Sequence, residues 1–259
     1  MTYVIYALIV IFTVLFSTLI GYLIPMMYRE KKFREFWTKC PDCEKTKKKT
    51  ERYSPVNFWK YGGYCNKHKT KVSSNVMFTV FFTLISLIPF AVEFFMTKNI
   101  LTVNSISMYI VAMMLVYATM TDFKGLVIPD MCNIVIFLVG LSTMFYSAIT
   151  TSDTSIYWLR LIGMVCIALP LFLLCLAGKS GFGDVKLFAA LGIFLGWKNL
   201  ILVLVIAVVT GCIYAIIKKF TSDNLKWKSE VPFGPFICLG TYITMMFGDL
   251  IIKSYLQLF

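Results

Sequence analysis

The stretch KSGFGDVKLFAALG, Lys179–Gly192, sets an acidic residue, Asp184, in a glycine-rich turn between two long apolar segments. Working outward from it, apolar runs recur along the 259-residue chain, which is 59% hydrophobic with a mean hydropathy of +0.78. Ordinary soluble domains are about 45–50% apolar, and a membrane span needs about 20 mostly apolar residues. Runs of this kind cover 3–28, 76–96, 101–121, 131–150, 156–178, 185–197, 199–217 and 233–256. The sixth is short, its far boundary blurred by Gly192, Gly196 and Trp197. The expected fold is therefore an all-α polytopic membrane protein of about eight transmembrane helices. The first run has no basic segment before it and no small-residue cleavage site after it, so it reads as a retained span.

The net charge of +12 is unevenly placed. Residues 29–73 hold fourteen Lys/Arg against five Asp/Glu, a surplus of nine. The positive-inside rule puts such a block in the cytoplasm. Alternation then puts 122–130, 179–184 and 218–230 inside as well, and the N-terminus outside. The loop KKFTSDNLKWKSE (218–230) agrees, with four lysines against Asp223 and Glu230. A basic patch can also signal nucleic acid, but membrane runs flank this one on both sides. Topology explains the charge more simply, and no nucleic-acid partner is expected. The electrostatic partner of the block is anionic lipid, at about 1 kcal/mol per Lys/Arg near the surface.

About 45 residues is marginal for a free-standing core, and small domains of this size usually rest on a metal or disulfides. The block carries CPDC at Cys40–Cys43 and CNKH at Cys65–His68, separated by twenty-one residues. Two such knuckles suit a tetrahedral structural zinc site of three thiolates and one imidazole, with no position left open for catalysis. The chain's single histidine stands where the fourth ligand belongs. The expected domains are a first transmembrane helix (1–28), a cytoplasmic zinc-binding insert (29–73) and a seven-helix transmembrane domain (74–259). The other cysteines, Cys132, Cys166, Cys175, Cys212 and Cys238, lie in or beside apolar spans and read as packing residues.

Asp122 ends the third span and Asp184 begins the sixth, so the two are expected on one membrane face at similar depth. Acids at such depth are functional candidates. Two adjacent carboxylates tend to share one proton, and the pair can then activate water and polarise a carbonyl without a serine or histidine. Against this, Asp readily caps helices, and Asp184 and Asp122 can be boundary residues. Asp130 is read as the N-cap of the fourth span, with Pro129 the turn signal before it. Gly181 and Gly183 would let the backbone approach a peptide substrate. Lys124, Lys179 and Lys186 read as interfacial anchors, with Lys186 also beside the candidate substrate path.

These segments resemble the type IV prepilin peptidases. GFGDVKLFAALGIFLGW (Gly181–Trp197) is similar to that family's GxGD segment, DFKGLVIPD (Asp122–Asp130) to its first aspartate segment, and VPFGPFICLG (Val231–Gly240) to its PFGP segment. The paired knuckles are similar to the zinc-binding insert of bacterial members. The resemblance implies an aspartic peptidase of the bacterial cytoplasmic membrane with Asp122 and Asp184 as its catalytic pair. It implies prepilin or pseudopilin substrates, cut after a glycine at the end of a short basic leader. It also implies a second activity, methylation of the new N-terminus with S-adenosylmethionine. Two departures weigh against that activity. TLIGYLIPMMYR (Thr18–Arg29) has no Ser-Phe-Leu-Asn counterpart, and KTKVSSNVMF (Lys69–Phe78) has no acid where the family has one. The alternatives are a transporter or channel with a zinc module, and a signal-peptide-peptidase-like protease. The first would place its acids near the midplane, and the zinc insert argues against the second.

Overall fold

The computed structural model describes residues 11–13, 85, 87, 88, 91, 102–177, 181–221 and 232–257. The chain divides into two units, Met1–Leu87 and Ile88–Phe259, and the architecture below is that of the second. The expected spans 3–28 and 76–96 lie outside the described residues apart from a few helical positions. So does the insert with Cys40, Cys43, Cys65 and His68. The remaining expected spans each correspond to a helix: α1 Val103–Gly125, α2 Asp130–Thr151, α3 Ser155–Leu176, α4 Phe182–Leu195, α5 Trp197–Thr221 and α6 Gly234–Leu256. All but α4 are long and apolar enough to cross a membrane.

Local chemistry sets the helix ends. The Thr102 hydroxyl accepts the Ser105 N–H at 3.0 Å and caps α1. At the far end Leu126 adopts a left-handed backbone (φ 53°), and its N–H bonds back to the Asp122 carbonyl at 2.9 Å. This is a left-handed terminal cap without the usual glycine, and it stops α1 just after Asp122. Pro129, with φ −64° and ψ 135°, then leads into α2. Asp130 is not the N-cap expected from the sequence. Pro129 holds that position, α2 has no side-chain cap, and the Asp130 carboxylate is bonded to Lys186 instead. Between α2 and α3, Asp153 accepts the Ser155 N–H and hydroxyl, both at 2.9 Å. These bonds, the backbone one foremost, hold its carboxyl below the usual carboxylate range.

The short helix α4 is the centre of the unit. Its fourteen residues span about 21 Å at 1.5 Å per residue, less than the roughly 30 Å hydrocarbon thickness. It packs against α2 and α3 along its length and also touches α5 and α6. Leu187, Phe188 and Leu191 are fully buried. Lipid tails are as apolar as leucine, so helix docking in a bilayer is driven by close packing of small residues. A Cβ on Gly192 would come within 2.4 Å of the Gly163 carbonyl oxygen, and one on Gly163 within 2.7 Å of the Gly192 oxygen. Helices α3 and α4 therefore cross backbone on backbone. Gly140 on α2 meets the Phe194 nitrogen in the same way. The outer faces of α3 and α5 expose Trp158, Leu173, Leu176, Val205, Val209 and Ile216, as lipid-facing surfaces do.

Because α4 ends early, its last carbonyls need donors away from bulk water. Arg160 of α3 supplies them: Nη1 donates to the Ile193 carbonyl at 2.9 Å, to the Phe194 carbonyl and to the Thr143 hydroxyl. Gly196, at φ 77°, then turns the chain into α5. This arginine lies inside an expected span, and the sequence reading assigned it no role.

Candidate active site

Asp122 lies on the last turn of α1 and is 5% exposed. Its Oδ2 accepts the backbone N–H of Gly234, the first residue of α6, at 2.9 Å. The absence of a side chain at Gly234 makes this approach feasible, since a Cβ there would sit 2.7 Å from that same oxygen. Helix α6 thus presents the free donor of its N-terminus to the carboxylate, an arrangement helix ends favour electrostatically. Pro235 follows in the first turn, where its missing N–H costs nothing.

Asp184 comes to the same region from another direction. Gly181 is the N-cap of α4 and Asp184 is the third helical residue, its Oδ2 3.4 Å from where a Cβ on Gly181 would sit. An acid in the first turn complements the positive end of the helix dipole. Asp184 is half-buried, Gly181 is exposed, and the Asp122 carboxylate is close enough to act on Asp184 electrostatically. The buried Cys238 thiol of α6 lies close enough to both carboxylates to feel their charge. Two acids sixty-two positions apart in the chain thus share one end of the bundle.

The neighbouring residues tie this end together. Gly183 faces Ile128, whose Cβ a side chain at Gly183 would approach to 3.3 Å. The glycine lets the first turn of α4 press on the 126–129 segment, so the space beside it belongs to Ile128. Pro129 is buried there. Lys186 donates to Asp130 Oδ1 at 2.7 Å and lies over the Phe182 ring at 5.2 Å, so it fastens the start of α2 to the start of α4. Asn133, in the first turn of α2, is buried with neither amide atom partnered among the described residues. Buried polar groups normally find a partner, so this end of the bundle can accept and donate further bonds.

The structure therefore brings Asp122, Asp184, Gly181, Gly183, Pro129 and Lys186 to one end of the bundle. The expected metal ligands Cys40, Cys43, Cys65 and His68 lie outside the described residues. Gly234 is the residue whose role sequence reasoning missed. The signal was the PFGP segment around it, which shows a glycine followed by proline at a helix start but not the carboxylate it would meet. Two neighbouring carboxylates can divide the work of peptide hydrolysis. The ionised member takes a proton from water, and the protonated member donates to the carbonyl oxygen.

Comparison with known proteins places part of the chain in a family. Residues 109–216 match the type IV leader peptidase family. A prepilin leader peptidase/N-methyltransferase of Legionella pneumophila is 44% identical over 77 residues, covering 29% of this chain and 26% of that protein. The protein of the same name from Pseudomonas aeruginosa is 23% identical over 222 residues, 84% of this chain and 74% of that protein. The one from Aeromonas hydrophila is 29% identical over 147 residues, covering 56% and 50%. The Legionella match thus spans about a quarter of its relative and the Pseudomonas match about three-quarters. No solved structure gave a match.

Proposed function

We propose that the chain, whose residues 109–216 match the type IV leader peptidase family, is an intramembrane aspartic peptidase that removes the leader of prepilins or pseudopilins. The observation that carries this reading is the convergence of Asp122, held by the Gly234 N–H, and Asp184, in the first turn of α4, at one end of the bundle. The substrate's apolar helix lies among the spans and its basic leader stays in the cytoplasm. The peptide bond after the leader's last glycine enters the space between the two acids. One carboxylate, ionised, takes a proton from the attacking water while the other, protonated, polarises the scissile carbonyl. As the C–N bond breaks, a proton passes to the leaving amine and the dyad returns to its singly protonated state. Gly181, exposed beside Asp184, is the place for close approach of the substrate backbone.

The basic block 29–73 orients the chain, keeping the carboxylate end at the cytoplasmic face of the cell membrane. Cys40, Cys43, Cys65 and His68 hold one zinc ion in a structural role. Three thiolates and an imidazole fill a tetrahedral site, and the metal's chemistry there is to fold the insert. The second activity in the relatives' names, N-methylation with S-adenosylmethionine, would act on the new N-terminal amine; the departures at Thr18–Arg29 and Lys69–Phe78 weigh against it.

The test uses purified full-length protein in detergent and a prepilin-like substrate, with mass spectrometry of the product. The expected product begins immediately after the leader glycine, and replacing that glycine by a bulky residue stops cleavage. Cutting that ignores the glycine would point instead to a signal-peptide-peptidase-like protease. An added methyl mass would restore the second activity.

A further inference from the structure

The end of the bundle opposite the carboxylates contains a cavity of about 520 Å³, within the roughly 300–1,000 Å³ of small-molecule sites. It exists because α4 stops early, leaving its volume to the ends of α2, α3, α5 and α6. Asp249, on its wall, is fifteen residues beyond Gly234 on α6, about 22 Å along that helix. The cavity is thus remote from the chemistry proposed above.

Its lining mixes charge with apolar surface. Arg160, Lys198 and Lys253 converge on it against a single carboxylate, Asp249. Among the described residues every hydrogen bond of Arg160 leaves from Nη1, so the donors on Nε and Nη2 remain for another acceptor. Asn199 Oδ1 is buried against Gly248 without a donor partner. Ile156, Leu159 and Ile252 complete the walls. Trp197 and Lys198, stacked at 5.7 Å, stand at the rim, a pairing suited to the headgroup level of a bilayer.

We infer that this cavity binds one anionic phospholipid by its headgroup. The three cations surround the phosphodiester, and the acyl chains follow the apolar walls out to the lipid. Guanidinium suits phosphate geometry, and the surplus of cations over Asp249 selects a headgroup with net negative charge. A free phosphate would satisfy the cations but leave the apolar wall uncovered.

Native mass spectrometry of the full-length protein reads this directly and does not depend on cleavage. The protein in mild detergent is titrated with phosphatidylglycerol, phosphatidylethanolamine and phosphatidylcholine carrying the same acyl chains. We expect one phosphatidylglycerol retained per chain with about tenfold preference over the other two. The double substitution Lys198→Gln/Lys253→Gln, at exposed side chains, should weaken that retention about tenfold. Lys218→Gln/Lys219→Gln, at the other end of α5, should leave it intact. Equal retention of the three lipids, or by the Lys198/Lys253 variant and the wild type, overturns the site. Displacement of phosphatidylglycerol by equimolar glycerol 3-phosphate would mark a soluble-phosphate site and overturn the lipid assignment.

Discussion

Substituting Gly234→Ala changes one methyl group and acts directly on Asp122. The added Cβ would sit 2.7 Å from Oδ2, 3.0 Å from Cγ and 3.2 Å from Cβ of Asp122. Ordinary contact begins at 3.4 Å, so the carboxylate must retreat by about 0.7 Å. That retreat breaks or stretches the 2.9 Å bond from the Gly234 N–H, a bond to a charged acceptor worth roughly 1.5–3 kcal/mol. A misplacement near 1 Å at a reacting group costs about 100-fold in rate. We therefore expect kcat/KM to fall about 30- to 100-fold, mostly in kcat because the displaced group reacts with the bound substrate. Thermal stability should fall modestly, since alanine recovers only up to about 1 kcal/mol of helix propensity against the weakened bond. The assay is leader cleavage at matched amounts of folded protein, with unfolding followed by circular dichroism. Gly211→Ala is the control: its Cβ would meet the Phe236 ring at an ordinary 3.5 Å, and activity should be unchanged. A Gly234→Ala enzyme cutting within about threefold of wild type would refute the reasoning.

Gly192→Ala should destabilise the protein by at least 1–3 kcal/mol, read as a lowered unfolding temperature in detergent, because the methyl would collide with the Gly163 backbone at 2.4 Å. Arg160→Met leaves the Ile193 and Phe194 carbonyls without their donor; a loss of about 1–3 kcal/mol per unsatisfied group should appear as faster hydrogen exchange at the end of α4. Lys186→Gln should cost less than about 1 kcal/mol, since the Lys186 and Asp130 side chains are 41% and 66% exposed, and urea unfolding measures it. Asp153 is an acid-sensitive clasp. Its folded pKa is depressed, so its hold on the start of α3 is complete above the unfolded value near 3.9 and fades as pH falls through the folded one. Amide protection in that first turn, taken relative to the intrinsic exchange rate at each pH, should fall with acid in the wild type and stay constant in Asp153→Asn.

The six described helices were legible because each apolar run has the length the bilayer demands, and even the short sixth run is a short helix. The acid pair was legible in outline, since alternation of spans places Asp122 and Asp184 on one face. Spacing could not show what each carboxylate rests on. The Gly234 donor lies 112 positions from Asp122, and only the docking of α6 on α1 reveals it. Asp130 was misread because an acid at a helix start looks like a cap, whereas Lys186 on another helix takes its carboxylate. Gly183 shows the same limit: nothing in the spacing places Ile128 3.3 Å from where its Cβ would be. Arg160 escaped notice because an apolar run masks one charge, and its purpose depends on the early end of α4.

The most direct measurement of the central claim compares cleavage of one prepilin-like substrate by wild type, Asp122→Asn, Asp184→Asn and Asp130→Asn, all purified and shown to be folded. Each of the first two substitutions keeps the side chain's shape while removing the group that holds or gives the proton. We expect both to abolish the cut after the leader glycine and Asp130→Asn to retain it. Normal cleavage by Asp122→Asn or Asp184→Asn would contradict the account, leaving Asp184 as a first-turn acid of α4 and Asp122 as a partner of the α6 N-terminus.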